Sequence, residues 1–136
     1  MPYETLPHEA EIRIKASGGT RAGLLVAALR GMFAAAGGRL PDEEAAEESV
    51  RPFSVEAADF SSLLVDFLNE AAAASGTHRE TYQDVHFELI TDKKARGSFV
   101  GRLVTGFDRQ IKAVAQGGLR VEKNAEGQWE AEIAFS

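Results

Sequence analysis

Two hydrophobic periods divide the chain. In residues 6–18, Ala10, Ile12, Ile14 and Ala16 take turns with Glu11, Arg13, Lys15 and Ser17. A period of two is that of a strand with one buried face. Residues 17–20 (SGGT) form a turn, and Thr20 can cap a helix by accepting from a free backbone N–H. The period then lengthens. Leu24, Leu25, Ala28, Leu29, Met32, Phe33 and Ala36 recur at three and four, which is one apolar face of a helix. Gly37-Gly38 ends it. Residues 40–49, LPDEEAAEES, are polar and acidic and read as a loop. In the next strand Val50, Pro52, Ser54 and Glu56 face one way, and Arg51, Phe53, Val55 and Ala57 the other. Pro52 has no N–H for a ladder and belongs on an edge or at a strand entry.

A second helix opens at Asp59, with Leu63, Leu64, Phe67, Leu68 and Ala71 on its apolar face. Gly76 reads as its stop, which leaves His78 in the loop beyond. The rest returns to period two. Val85, Phe87 and Leu89 alternate with His86 and Glu88, and Phe99, Gly101, Leu103 and Thr105 with Val100, Arg102 and Val104. Lys93-Lys94 marks a connecting turn. Residues 108–135 read as a long strand, a turn at Asn124–Gly127, and a closing strand with Trp129, Ala131, Ile133 and Phe135 on one face. The order β-α-β-α-β-β-β-β predicts an α+β fold in a single domain over 1–136. Two helices would pack on one side of a largely antiparallel sheet, with a strand-rich C-terminal half.

Composition narrows the function. With 136 residues the chain suits one core. It has no cysteine, which removes disulfides, thiolate catalysis and cysteine-ligated zinc. No apolar run approaches the roughly 20 residues of a membrane span, and MPYETLPHE lacks the basic and apolar parts of a signal peptide. A soluble, cytoplasmic protein is expected. The net charge of −6 disfavours direct nucleic-acid binding, which draws its affinity from neutralising phosphates. The densest basic group, Lys93, Lys94, Arg96 and Arg102, has only Phe99 among it and reads as a solvated hairpin.

Few residues carry candidate chemistry. His78 and His86 have no ligand spacing and read as surface. His8 sits beside Glu9 and Glu11, and the trio is either a solvated strand end or part of an oxygen-rich site for Ca²⁺ or Mg²⁺. Asp66 and Glu70, four apart on a helix, are either an acid–base pair or a solvated face. There is no phosphate-binding loop and no Gly-x-Ser-x-Gly elbow, and Ser61-Ser62 read as first-turn residues.

Three stretches in register resemble the archease family. Leu6-Pro7-His8-Glu9-Ala10-Glu11-Ile12 is similar to the family's Leu-Pro-His-Thr-Ala-Asp-Ile. Asp59-Phe60-Ser61-Ser62-Leu63-Leu64-Val65-Asp66-Phe67-Leu68-Asn69-Glu70 resembles its Asp-Leu-x-Ser-Leu-Leu-x-x-Trp-Leu-x-Glu. Lys112-Ala113-Val114, followed by Gly118-Leu119-Arg120-Val121-Glu122, resembles a late strand of the family. The resemblance implies a small non-enzymatic accessory protein that activates an RtcB-type RNA ligase in tRNA splicing and RNA repair. It would promote guanylylation and turnover, with a bound divalent ion. The ligands it implies are Glu11, where the family has Asp, and Ser136, which stands at the family's C-terminal Asp and would offer its α-carboxylate. His8 and Glu9 are further donors, and Lys112 is a candidate contact to the partner. Ala115-Gln116-Gly117 replaces the family's Thr-Tyr-His. That change favours a second reading, an interaction module that kept the scaffold without ligase activation. A third reading is a small metal-dependent hydrolase built on His8, Glu9 and Glu11.

Overall fold

A computed structural model describes residues 3–6, 12–40, 48–109 and 121–135. The elements are β1 (Tyr3–Leu6), β2 (Ile12–Gly18), α1 (Arg21–Ala36), β3 (Gly38–Arg39), β4 (Glu48–Glu56), α2 (Phe60–His78), β5 (Glu80–Ile90), β6 (Lys94–Leu103), β7 (Gly106–Phe107), β8 (Val121–Lys123) and β9 (Trp129–Phe135). The α+β class holds, and every strand pair is antiparallel. In place of one sheet the described strands form three, in the orders β1-β2-β9-β8, β3-β7 and β4-β6-β5. Helix α1 lies against β1, β2 and β9 on one side and β5 on the other, while α2 covers β4, β5 and β6. No helix among the described residues is long and apolar enough to cross a membrane.

Local chemistry sets the helix starts. The Thr20 and Asp59 side chains accept from the backbone N–H of Gly23 (2.9 Å) and Ser62 (2.7 Å). Each satisfies one of the donors a helix leaves free in its first turn. The Ser62 backbone N–H, and after it the Ser62 hydroxyl, hold the Asp59 carboxyl below its usual range. Gly37 ends α1 in the left-handed region (φ 65°), and its N–H closes on the Phe33 carbonyl. Helix α2 does not stop at Gly76. It runs to His78, so that histidine is in its last turn rather than in a loop, and Arg79 takes the left-handed position (φ 55°). A glycine permits such a turn but does not impose it, and three more residues of helix bury Ser75 and let its hydroxyl donate to the Glu80 carbonyl.

Phe99 on β6 organises the core between α2 and its sheet. It is fully buried and stacks on Phe53 (4.4 Å) and Tyr82 (5.2 Å), with Phe67 of α2 at 5.5 Å. Leu63, Leu64, Phe67, Leu68 and Ala71 are all fully buried, as the helical spacing requires. On β4 the alternation also holds, with Phe53 and Val55 buried and Pro52 and Ser54 exposed. Pro52 sits on an edge strand, where its missing N–H breaks no ladder bond. Strand β4 begins at Glu48, so the last two residues expected in the acidic loop are already paired, with Arg102 and Gly101. The Thr91 hydroxyl turns the β5–β6 hairpin by accepting from the Lys93 and Lys94 N–H groups. Asn124 does the same for Glu126 and Gln128 at the last hairpin, with Gly127 at φ 82°. The strand expected over 110–120 lies outside the described residues.

Strand β6 passes β5 too closely for a side chain at Gly101. A Cβ there would run into the Thr81 carbonyl, next to a register shift between Tyr82 and Asp84. Gly101→Ala should therefore cost about 2–3 kcal/mol in urea unfolding, the range for forced overpacking. Gly19→Ala, whose Cβ meets nothing within 4 Å, should stay within about 0.5 kcal/mol of the parent.

Candidate functional site

The N-terminal motif leads into β2, and β9 pairs with β2 along its whole length. The register runs from Gly18↔Trp129 to Ile12↔Phe135. Ile14, Ala16, Ala131 and Ile133 fill the inner face and are buried. The outer face is charged. Lys15 stands opposite Glu132, the Arg13 guanidinium reaches Glu132 at 3.4 Å, and Lys15 Nζ reaches Glu130 at 3.9 Å. These exposed pairs contribute little energy. Their effect is on register, because a slip by one residue would turn this charged row inward.

His8, Glu9, Glu11, Lys112 and Ser136 lie outside the described residues, as do Ala115, Gln116 and Gly117. What the structure places is the pair beside two of them: Glu11 precedes Ile12 in the chain, Ser136 follows Phe135, and Ile12 and Phe135 face one another. The other candidates resolve into surface. His78 and His86 are exposed. Asp66 and Glu70 border a shallow hollow with Glu56 and Asn69. Among the described residues no three His, Asp or Glu side chains are placed to hold a metal ion. In the basic hairpin Arg96 pairs with Glu88 (3.2 Å) and Phe99 is buried, so no aromatic ring is offered beside the cations. Ser61 and Ser62 are in the first turn of α2, and the Ser61 hydroxyl accepts from the Val121 N–H at 3.2 Å.

One charged cluster was not singled out from the sequence. Glu80 is a buried carboxylate, 2% exposed. Arg51 donates to both of its oxygens, at 2.8 and 3.1 Å, and the Tyr82 hydroxyl donates to it at 2.8 Å. Burial pushes the Glu80 pKa up, but these hydrogen bonds outweigh burial and hold it below its usual value. The Ser49 hydroxyl lies near enough to lower it further, although it meets no partner at hydrogen-bonding geometry. Burial and the adjacent carboxylate raise the Tyr82 phenol far above its usual range, so it stays a donor. The signal was present: Arg51 falls on the apolar face of its strand, and a cation there needs a buried anion. The cluster ties β4 to β5 across β6, a structural role.

Because its folded pKa is lowered, Glu80 contributes stability above its unfolded value near 4.5. That contribution is lost as pH falls through the folded value. Glu80→Gln should cost about 2 kcal/mol at pH 7, toward the low end for a buried pair because Arg51 keeps contact with water. The gap between the two proteins should narrow as pH falls below 4.5; urea unfolding at pH 7 and in that acidic range measures it.

Comparison with known proteins supplies the context for this ladder. Residues 3–135 match the model of the Archease protein family (MTH1598/TM1083). A protein named archease from Methanosarcina barkeri is 25% identical over 139 residues, covering 96% of this chain and 92% of that protein. The solution structure of protein 1598 from Methanobacterium thermoautotrophicum superposes with a TM-score of 0.70 at 21% identity, over 99% of this chain and 98% of that one. The crystal structure of an archease from Thermotoga maritima, described as a possible chaperone, does so with a TM-score of 0.66 at 16% identity, over 98% and 95%. These two likenesses show the fold, and the family match spans the ladder from β1 to β9: the chain belongs to the archease family.

Proposed function

We propose that this protein is a non-catalytic accessory factor that activates an RtcB-type RNA ligase in tRNA splicing or RNA repair. It would promote guanylylation of the ligase and its repeated turnover. Membership of the archease family supports an accessory role. The observation that carries the site is the Ile12↔Phe135 pair, because it brings the chain neighbours of Glu11 and Ser136 to one end of one ladder. Oxygen donors from two distant segments are what a hard divalent cation such as Ca²⁺ or Mg²⁺ takes. Glu11 and Ser136 are the principal ligands in this reading, with Glu9 and His8 as further donors. A bound ion would supply positive charge where the factor meets the ligase. The protein's own part is to hold the two strand ends in register through Ile14, Ala16, Ala131 and Ile133. Lys112 is a partner contact in the same reading.

Ala115-Gln116-Gly117, in place of Thr-Tyr-His, favours a second reading in which the scaffold binds a partner without activating a ligase. Multiple-turnover ligation by the RtcB-type ligase of the same organism, with GTP and Mn²⁺, separates the two. The first reading expects clear stimulation by the parent protein. It expects Glu11→Gln to remove most of that stimulation and to weaken Ca²⁺ binding by roughly tenfold or more, since carboxylate count sets the affinity of such sites. An active ligase that is indifferent to the folded parent protein would leave the second reading.

A further inference from the structure

We propose that the groove between the C-terminal ends of α1 and α2 binds a small organic anion with an apolar body, with Arg79 as its counter-ion. The groove is a separate site from the strand ends above and does not depend on that reading. It holds about 740 Å³, within the usual range for small-molecule sites, roughly 300–1,000 Å³. Phe33 and Ala36 of α1, Ala72 of α2, and Val104 and Phe107 form apolar walls. Among the described residues that line it, Arg79 is the one that carries a charge.

Charge complementarity selects an anion. Arg13, Arg21, Arg30, Arg39, Arg51 and Arg96 each sit in an ion pair with a carboxylate. Arg79 has no such partner among the described residues, in a chain of net charge −6. Helix C-termini ordinarily favour cations because their last carbonyls are free. Here several of those carbonyls are taken. Beyond the helices' own closing bonds, the carbonyls of Ala36 and Gly37 at the end of α1 accept from Arg109 and Asp108, and that of Arg79 at the end of α2 accepts from Val104. Fewer carbonyls are therefore left free at the two helix ends, beside the Arg79 that lines the groove.

Two positions at this groove forgo helix stability. Arg79 is the only residue other than glycine at positive φ among the described residues, a place where glycine fits without cost. Gly76 lies in the last turn of α2, where alanine would strengthen the helix, yet a Cβ there meets nothing within 4 Å. Exchanging the demands of the two positions would stabilise α2. It would also remove the cation and narrow the floor of the groove.

The full chain can be titrated with 1-anilinonaphthalene-8-sulfonate, an aromatic anion whose fluorescence rises in apolar sites, and competed with decanoate or decan-1-ol. The expected result is one saturable site, emptied by decanoate and not by the alcohol. Arg79→Gly should weaken binding about tenfold while raising Tm by roughly 3 °C. Gly76→Leu, whose Cβ meets nothing within 4 Å, should fold and block the site. Absence of a saturable site in the parent, equal competition by the alcohol, or parent-like binding by a folded Arg79→Gly would each overturn the proposal.

Discussion

The ladder between β2 and β9 is the constraint on which the rest of the molecule depends. It joins residues 12–18 to 129–135, and it gives α1 a floor of Ile14, Ala16, Ala131 and Ile133. Helix α1 in turn touches β5, and α2 reaches the four-stranded sheet through Ser61–Val121 and Phe60–Trp129, so the four-stranded and three-stranded sheets meet through the helices. Without β9, β2 would lose one of its two strand neighbours, and the floor under α1 would lose Ala131 and Ile133. The register is over-determined. Alternating burial fixes it on one face, and alternating charge on the other.

Energy and chemistry are segregated in this architecture. The aromatic cluster around Phe99 and the Arg51–Glu80–Tyr82 hydrogen bonds belong to the sheet under α2. The candidate ladder end belongs to the other sheet, while the stretch 59–70 packs this core through Leu63, Leu64 and Phe67. The fold is kept at 16–21% identity to the two solved structures.

What was legible in the sequence was short in range. Thr20, Gly37 and Asp59 act within one helical turn, and the two hydrophobic periods mark which residues of each element are buried. The partition into three sheets was not legible, because period two states that a strand has an inner face but not which strand lies beside it. The end of α2 was misplaced for a related reason: Gly76 is permissive, and the stop depends on where β5 begins and on the Ser75–Glu80 hydrogen bond. Strand β1 and the β3–β7 pair were missed because four and two residues carry too little alternation. At the candidate site the outline was legible as a motif. Only the ladder shows that its flank meets the last strand.

The closing ladder also has a consequence for biosynthesis. A ribosome releases β2 before α1, but the partner of β2, β9, emerges more than a hundred residues after it. Until then β2 has β1 on one side only, and Ile14 and Ala16 lack their cross-strand partners Ile133 and Ala131. Pairings this distant in sequence form slowly and leave strand edges exposed meanwhile. The free edge of β2 is therefore open to pairing with other chains until β9 is made.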